Sequence, residues 1–250
     1  MIHDKEDATP YGPEPQEHVP RPVMIQTWRS VAFLHWRYDP AVVQRLIPSP
    51  LEVDTHEGSA WVSLTPFLLT NLHPPGVPPL PWISTSPETN VRTYVRGPGG
   101  KRGIWFFSLD IGRLPAVLFG RIFYFLPYMW SDLDIDVSGA EVRYRGRRRR
   151  SRHDARYDIA VEVGEAFRED ELTSLDHFLT AKWALYLLYR RVPAVTLARH
   201  QRWPLTRAKV TRVEQNLVEA AGLPSPPGEP LVHYAPGVDV RISRPYLLPS

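Results

Sequence analysis

The most regular alternation in the chain runs through residues 88–95, where Glu88, Asn90, Arg92 and Tyr94 fall on one side and Thr89, Val91, Thr93 and Val95 on the other. A period of two predicts a strand. Gly97, Pro98, Gly99 and Gly100 follow as a turn and 104–109 returns as a second strand, so the two make a hairpin. Upstream, 28–36 reads as a strand. Asp39 followed by Pro40 predicts a helix start, with Val42, Val43 and Leu46 in the helix and Pro48 ending it. Residues 61–69 are strand-like, with Pro66 marking an edge or a bulge. Further on, 114–124 predicts a short helix, and 132–137, 139–146 and 157–163 predict strands. The spacing of Leu175, Phe178, Leu179, Lys182, Leu185, Tyr186 and Tyr189 predicts one long helix over 172–189. Strands close the chain at 208–219 and 237–243. Many short strands and few helices indicate a mainly β (α+β) fold, a barrel or a sandwich, and not a parallel βαβ sheet.

A length of 250 residues with 43% hydrophobic side chains suits one core, so 23–250 reads as a single domain. Residues 1–22, with five prolines, many charges and no periodicity, read as a disordered N-terminal arm that contributes little to the core. The absence of cysteine removes disulfides, thiolate metal sites and a cysteine nucleophile. With no secretory or transit signal readable, the expected location is cytoplasmic. The most apolar window, 114–130, is interrupted by Arg121 and is too short to span a membrane.

The net charge of +3 is unevenly placed, because Arg143, Arg145, Arg147, Arg148, Arg149, Arg150, Arg152 and Arg156 crowd together. That run reads as the solvated tip of a hairpin; aromatic residues that would stack on single strands are sparse there, and nucleic acid is not the expected partner. The nine histidines show no metal-ligand spacing, and Asp132, Asp134 and Asp136 read as a solvated strand edge, so neither a metal nor a cofactor is expected. Nucleophile-elbow, phosphate-loop and dinucleotide fingerprints are missing, which leaves the common hydrolase, kinase and dehydrogenase classes without support.

The face formed by Glu88, Asn90, Arg92 and Tyr94 follows directly on residues 71–87, a segment with six prolines. Loops of that length usually cover a site or carry part of one. A solvent-facing strand with the same pattern is the competing reading.

Three stretches carry a family resemblance: WRSVAFLHWRYDPAVVQRLIPSPLEVD (28–54), SPETNVRTYV (86–95) and FFSLDIGRLPAVLFGRIFYFLPYMW (106–130). They resemble the acetoacetate decarboxylase superfamily, and more closely its YqjF-like branch, a bacterial domain of unknown function. The resemblance implies a closed β-barrel or cone with an internal pocket. It matches Arg29 to the family's pocket arginine and Glu88 to one of its acidic residues, while Trp61 stands at the other acidic position. In the decarboxylases a proline precedes two lysines, the first forming a Schiff base with the keto acid and the second lowering its pKa. Here Pro127 precedes Tyr128 and Met129, and a phenol cannot form an imine.

The resulting expectation is a small-molecule ligand, a carboxylic acid, bound in the barrel. Arg29 would pair with its carboxylate, and Glu88 and Tyr128 would be the catalytic acid/base or hydrogen-bonding groups. Asn90, Arg92, Tyr94, Trp61 and Met129 would complete the ligand-binding set, and 71–87 would wall the mouth. Any chemistry would be lyase- or isomerase-like proton transfer without an imine; the competing reading is a non-catalytic binding or sensing domain. Of the four lysines, Lys182 alone lies on an apolar helix face, where a relocated Schiff base competes with an ordinary snorkelling role. Members of this superfamily assemble into oligomers, which makes a homo-oligomer conceivable.

Overall fold

The computed structural model describes residues 19, 21–80, 82–149 and 154–248. Its first half runs β1 (Met24–Tyr38), α1 (Pro40–Gln44), β2 (Glu52–Val53), β3 (Ala60–His73), β4 (Ser86–Arg96), β5 (Arg102–Ile111), α2 (Leu114–Phe123) and β6 (Tyr128–Ser138). Its second half runs β7 (Glu141–Arg148), β8 (Arg156–Ala166), α3 (Ser174–Thr180), β9 (Ala184–Tyr189), β10 (Val192–His200), β11 (Thr206–Gln215), α4 (Leu217–Ala220), β12 (Leu231–Ile242) and β13 (Tyr246–Leu247). The fold is mainly β, as the alternation predicts.

Two strands close the sheet on itself by changing partner part-way along one edge. β5 pairs with β4 along one side, while on the other Ile104 and Trp105 lie beside β9 and residues 109–111 beside β6. β12 pairs with β1 on one side, and on the other meets β11 at His233 and Tyr234 and β10 at Val240 to Ile242. The strands therefore run β1-β3-β4-β5-β6-β7-β8-β11-β12 and return to β1, with β9 and β10 linking β5 to β12. Closure leaves a ring with an inside and an outside.

The two faces of β1 are sorted accordingly. Ala32, Leu34 and Trp36 join Val62, Leu64, Tyr144, Tyr157 and Ile159 in the main core, while Val31 and Phe33 pack with Phe67, Leu69, Ile111 and Val117 in a second cluster. Val19, inside the segment expected to be a disordered arm, is 3% exposed and belongs to the main core, so packing begins before residue 23. Residues 1–18 and 20 of that arm lie outside the described residues.

Several local expectations are met for the expected reasons. Asp39 caps α1 by accepting from Ala41 N at 2.8 Å, with Pro40 in the first turn. The hairpin of β4 and β5 and the helix α2 are present. Pro66 is at a bulge and not at an edge: β3 lies between β1 and β4, and its pairing with β1 is interrupted between Leu64 and Leu68, where Ser30 has φ +48°. The missing proline N–H therefore interrupts no pairing with β1.

The long helix expected over 172–189 is instead α3 followed by β9. Thr173 and Asp176 cap the start of α3 reciprocally. Lys182 Nζ donates to the Phe178 carbonyl at 2.5 Å, satisfying an acceptor of the last helical turn. Residues 184–187 are buried in succession, which fits a strand covered on both faces, and periodicity alone does not separate that from a buried helix. The strand expected to reach 219 stops at Gln215, whose side chain accepts from Val218 N and starts α4. Asp132, Asp134 and Asp136, read as a solvated strand edge, are exposed on the part of β6 that runs beyond its pairing with β5, which ends at Trp130.

The described arginines of the run are paired, not free, and Arg150 and Arg152 lie outside the described residues. Arg143 bonds Asp158, Arg145 bonds Asp134, Arg149 bonds Asp132, and Arg147 and Arg156 both reach Asp154. Arg148 is different, since its side chain turns inward from β7 and grips Asp110 of β5 with Nε at 2.7 Å and Nη2 at 2.8 Å. Ser131 of β6 also donates to Asp110, at 2.7 Å, and Arg148 reaches Ser108 Oγ at 2.7 Å. One buried carboxylate thus ties three neighbouring strands at the place where β5 passes from β9 to β6. Breaking a buried pair by removing one partner costs about 3–5 kcal/mol, whereas an exposed pair is worth about 0–1 kcal/mol. In urea unfolding, Asp110→Ala should lose stability on the first scale and Asp134→Ala on the second.

Candidate functional site

On the face of β4 opposite the main core, in the space closed by β9, β10 and β12 against β1, β3, β4 and β5, Glu88, Asn90 and Arg92 line a cavity of about 410 Å³. The rest of the wall is largely apolar. β1 contributes Trp28 and Phe33, β3 Phe67, β5 Ile104, Phe106 and Leu109, and α2 Ala116 and Phe119. The connection between β3 and β4 adds Pro74, Val77, Pro78, Leu80 and Ile83, so the proline-rich segment does line the cavity. Tyr128 enters from the start of β6, against Gly120 of α2. A Cβ at Gly120 would sit 2.3 Å from the Tyr128 ring, so only glycine lets helix and phenol approach this closely.

Tyr128 OH donates to Glu88 Oε2 at 3.4 Å. Burial pushes the Glu88 carboxyl up to about 8, against the hydrogen bond from Tyr128 that favours its anion and with a further push from Asp110. Glu88 is therefore a carboxylic acid at neutral pH. Burial and the neighbouring Glu88 hold the Tyr128 phenol well above its usual value.

Arg92 sits at the other end of this face and is 9% exposed. Its guanidinium lies 5.2 Å from the Phe33 ring and beside the Tyr94 hydroxyl, and it faces no carboxylate at ion-pair distance among the described residues. Desolvation lowers its pKa, but a guanidinium stays charged in proteins. Arg92 Nε, Asn90 Oδ1, Thr65 Oγ1 and Ser84 Oγ are buried without a hydrogen-bond partner, and all four residues line this cavity. Buried polar atoms are nearly always satisfied, so such a concentration in one place marks a surface prepared for another molecule.

Of the eight residues expected from sequence, Glu88, Asn90, Arg92 and Tyr128 are brought together in the cavity wall. Tyr94 stands behind Arg92, its hydroxyl 2.7 Å from Ser63 Oγ, 3.2 Å from His35 Nδ1 and donating to the Leu179 carbonyl at 2.8 Å. Trp61 packs with Tyr94, Phe178 and Leu179 in a separate cluster, its ring under the Arg37 guanidinium. Met129 turns away from Tyr128 by the strand alternation, and its Sδ accepts from Arg121. Arg29 is exposed: Trp28 faces the cavity and its neighbour points outward, opposite Gly237 of β12 and Leu68 of β3.

None of the described lysines lines the cavity. Lys182 is buried against Phe178 and Tyr94, and desolvation brings its ammonium down to about 7. Among the described residues no three His, Asp or Glu side chains converge as a metal site, and no helix is long and apolar enough to cross a membrane. Sequence reasoning missed Trp28, Phe33, Phe106 and Trp203. The first three follow from strand alternation once the inward face is known, whereas Trp203 comes from an irregular connection with no periodic signal.

Residues 25–239 match the DUF2071 family, described as an uncharacterized conserved protein. Over 218 residues the chain is 37% identical to "Uncharacterized protein YqjF" of Bacillus subtilis (strain 168), covering 87% of this chain and 89% of that protein. Among solved structures, an acetoacetate decarboxylase-like enzyme from Sphingomonas wittichii RW1 superposes with TM-score 0.61 at 14% identity, covering 94% of this chain and 96% of the other. The enduracididine biosynthesis enzyme MppR complexed with pyruvate superposes with TM-score 0.61 at 12% identity, over 94% and 93% of the two chains.

The buried acid makes stability depend on pH in a defined direction. The folded chain keeps a proton on Glu88 up to about pH 8, whereas the unfolded chain releases it above about 4.5, so this group's contribution is full below 4.5 and is lost as pH rises to 8. Unfolding free energies measured from pH 5 to 9 should therefore fall more steeply in wild type than in Glu88→Gln. Parallel slopes would show that Glu88 titrates normally.

Proposed function

The chain belongs to the DUF2071 family and has the acetoacetate decarboxylase-like fold, and from that footing we propose that its cavity binds a small organic acid through Arg92. The observation that carries the reading is a buried cation facing an apolar cavity with no carboxylate of its own. A guanidinium supplies paired donors that match a carboxylate, and the low-dielectric wall strengthens the interaction. The pyruvate complex of MppR is a precedent on this fold for an organic acid. The anion-binding role that resemblance gave to Arg29 passes to Arg92.

The chemistry available here is non-covalent. With Tyr128 and Met129 at the positions of the decarboxylase lysines, no amine stands where an imine would form, and Lys182 is engaged with a helix carbonyl. Glu88, protonated at neutral pH and bonded to Tyr128, can donate to a carbonyl or enol oxygen and take the proton back. That is the proton transfer of a lyase or isomerase. The absence of a nucleophile favours a second reading, a ligand-binding or sensing domain; turnover of a bound acid separates the two.

Thermal unfolding with pyruvate, acetoacetate and other small mono- and dicarboxylic acids tests the binding claim. A ligand at 100 times its Kd stabilises the folded state by about 2.7 kcal/mol. Wild type and Arg29→Ala should both be stabilised and Arg92→Met should not. A shift retained by Arg92→Met, or lost in Arg29→Ala, would move the anion site away from Arg92.

A further inference from the structure

The two ends of the β4 face are chemically different and far apart. Arg92 is fixed at one end by Tyr94, which is itself bonded to Leu179. Glu88 is fixed at the other end by Tyr128. Four residues of strand separate them, roughly 13 Å at about 3.3 Å per residue. Along the wall Phe67 lies beside Glu88, Leu109 beside Asn90, and Phe106 and Phe33 beside Arg92.

Size agrees with span. A cavity of about 410 Å³ falls in the range of about 300–1,000 Å³ that holds drug-sized ligands. At the Glu88 end the lining runs out to solvent through apolar side chains: Val77 and Leu80 of the proline-rich connection and Phe119 of α2 line the cavity while being 48%, 56% and 43% exposed. The ligand thus enters charged end first, and its far end finishes under an apolar lip.

We propose that the site takes an elongated monocarboxylic acid with an apolar body of about ten carbons, a medium-chain fatty acid or an arylalkanoic acid, its carboxylate on Arg92 and its chain running over Asn90 past Glu88. This rests on Arg92 being the carboxylate site. It deepens that reading by giving the acid an elongated, mostly apolar body.

Calorimetric titration of the full chain at pH 7 with unbranched acids from acetate to dodecanoate, 4-phenylbutyrate and decanol tests it. Affinity should rise about three- to fourfold for each methylene added between butyrate and decanoate. It should level off once the chain passes the lip. Decanol, which lacks the charge, should bind at least about tenfold more weakly than decanoate. A stronger response to 4-phenylbutyrate than to octanoate would assign the aryl class, and the reverse the alkyl class. Ala198→Phe, which places a ring in the cavity wall, should abolish the chain-length dependence; its persistence would place the acids elsewhere and overturn the proposal. Acetate, pyruvate or acetoacetate binding as tightly as decanoate would overturn it while leaving Arg92 as an acid site. Decanol binding as tightly as decanoate would overturn both.

Discussion

Closing a ring of strands turns one face of every strand away from water, and that constraint sets the chemistry of this protein. On most strands the inward residues are apolar and burial stabilises them. On the other face of β4, covered by β9, β10 and α2, the buried groups are a carboxyl, an amide and a guanidinium. The carboxyl answers desolvation by keeping its proton. The guanidinium has no such option, and a buried charge without a partner costs several kcal/mol. The surrounding strands must hold it there, and the Asp110–Arg148–Ser131 cluster braces the junction of β5 with β6 at the Glu88 end.

Much of this was legible in sequence. Alternation at 88–95 identified the inward face, and the proline-rich stretch before it identified the wall. Asp39-Pro40 and the hairpin glycines marked the neighbouring turns. What was not legible depends on context. An apolar run such as 184–189 satisfies a helical face and a doubly covered strand equally well, and pairing with β5 and β10 decides between them. Arg29 and Arg92 look equivalent in composition, yet strand parity turns one to solvent and the other inward. Arg148 resembles its neighbours in the run, and only the carboxylate across the sheet separates it from them.

The decarboxylase-like fold and the chemistry of its site separate here. The ring accompanies the fold, whereas the position that resemblance gives to the imine-forming lysine holds a tyrosine packed on Gly120. Its phenol offers a hydrogen bond, made here to Glu88, and no amine. Fold likeness at 12–14% identity carries no activity with it, so the functional argument rests on Arg92, Glu88 and Tyr128.

The most direct measurement is a crystal structure with 10-bromodecanoate, in which anomalous scattering locates the bromine and electron density locates the carboxylate. The account predicts the carboxylate within hydrogen-bond distance of the Arg92 guanidinium, with the bromine beneath Phe119 and Leu80. A carboxylate at Arg29, or a bromine seated beside Arg92, would contradict it.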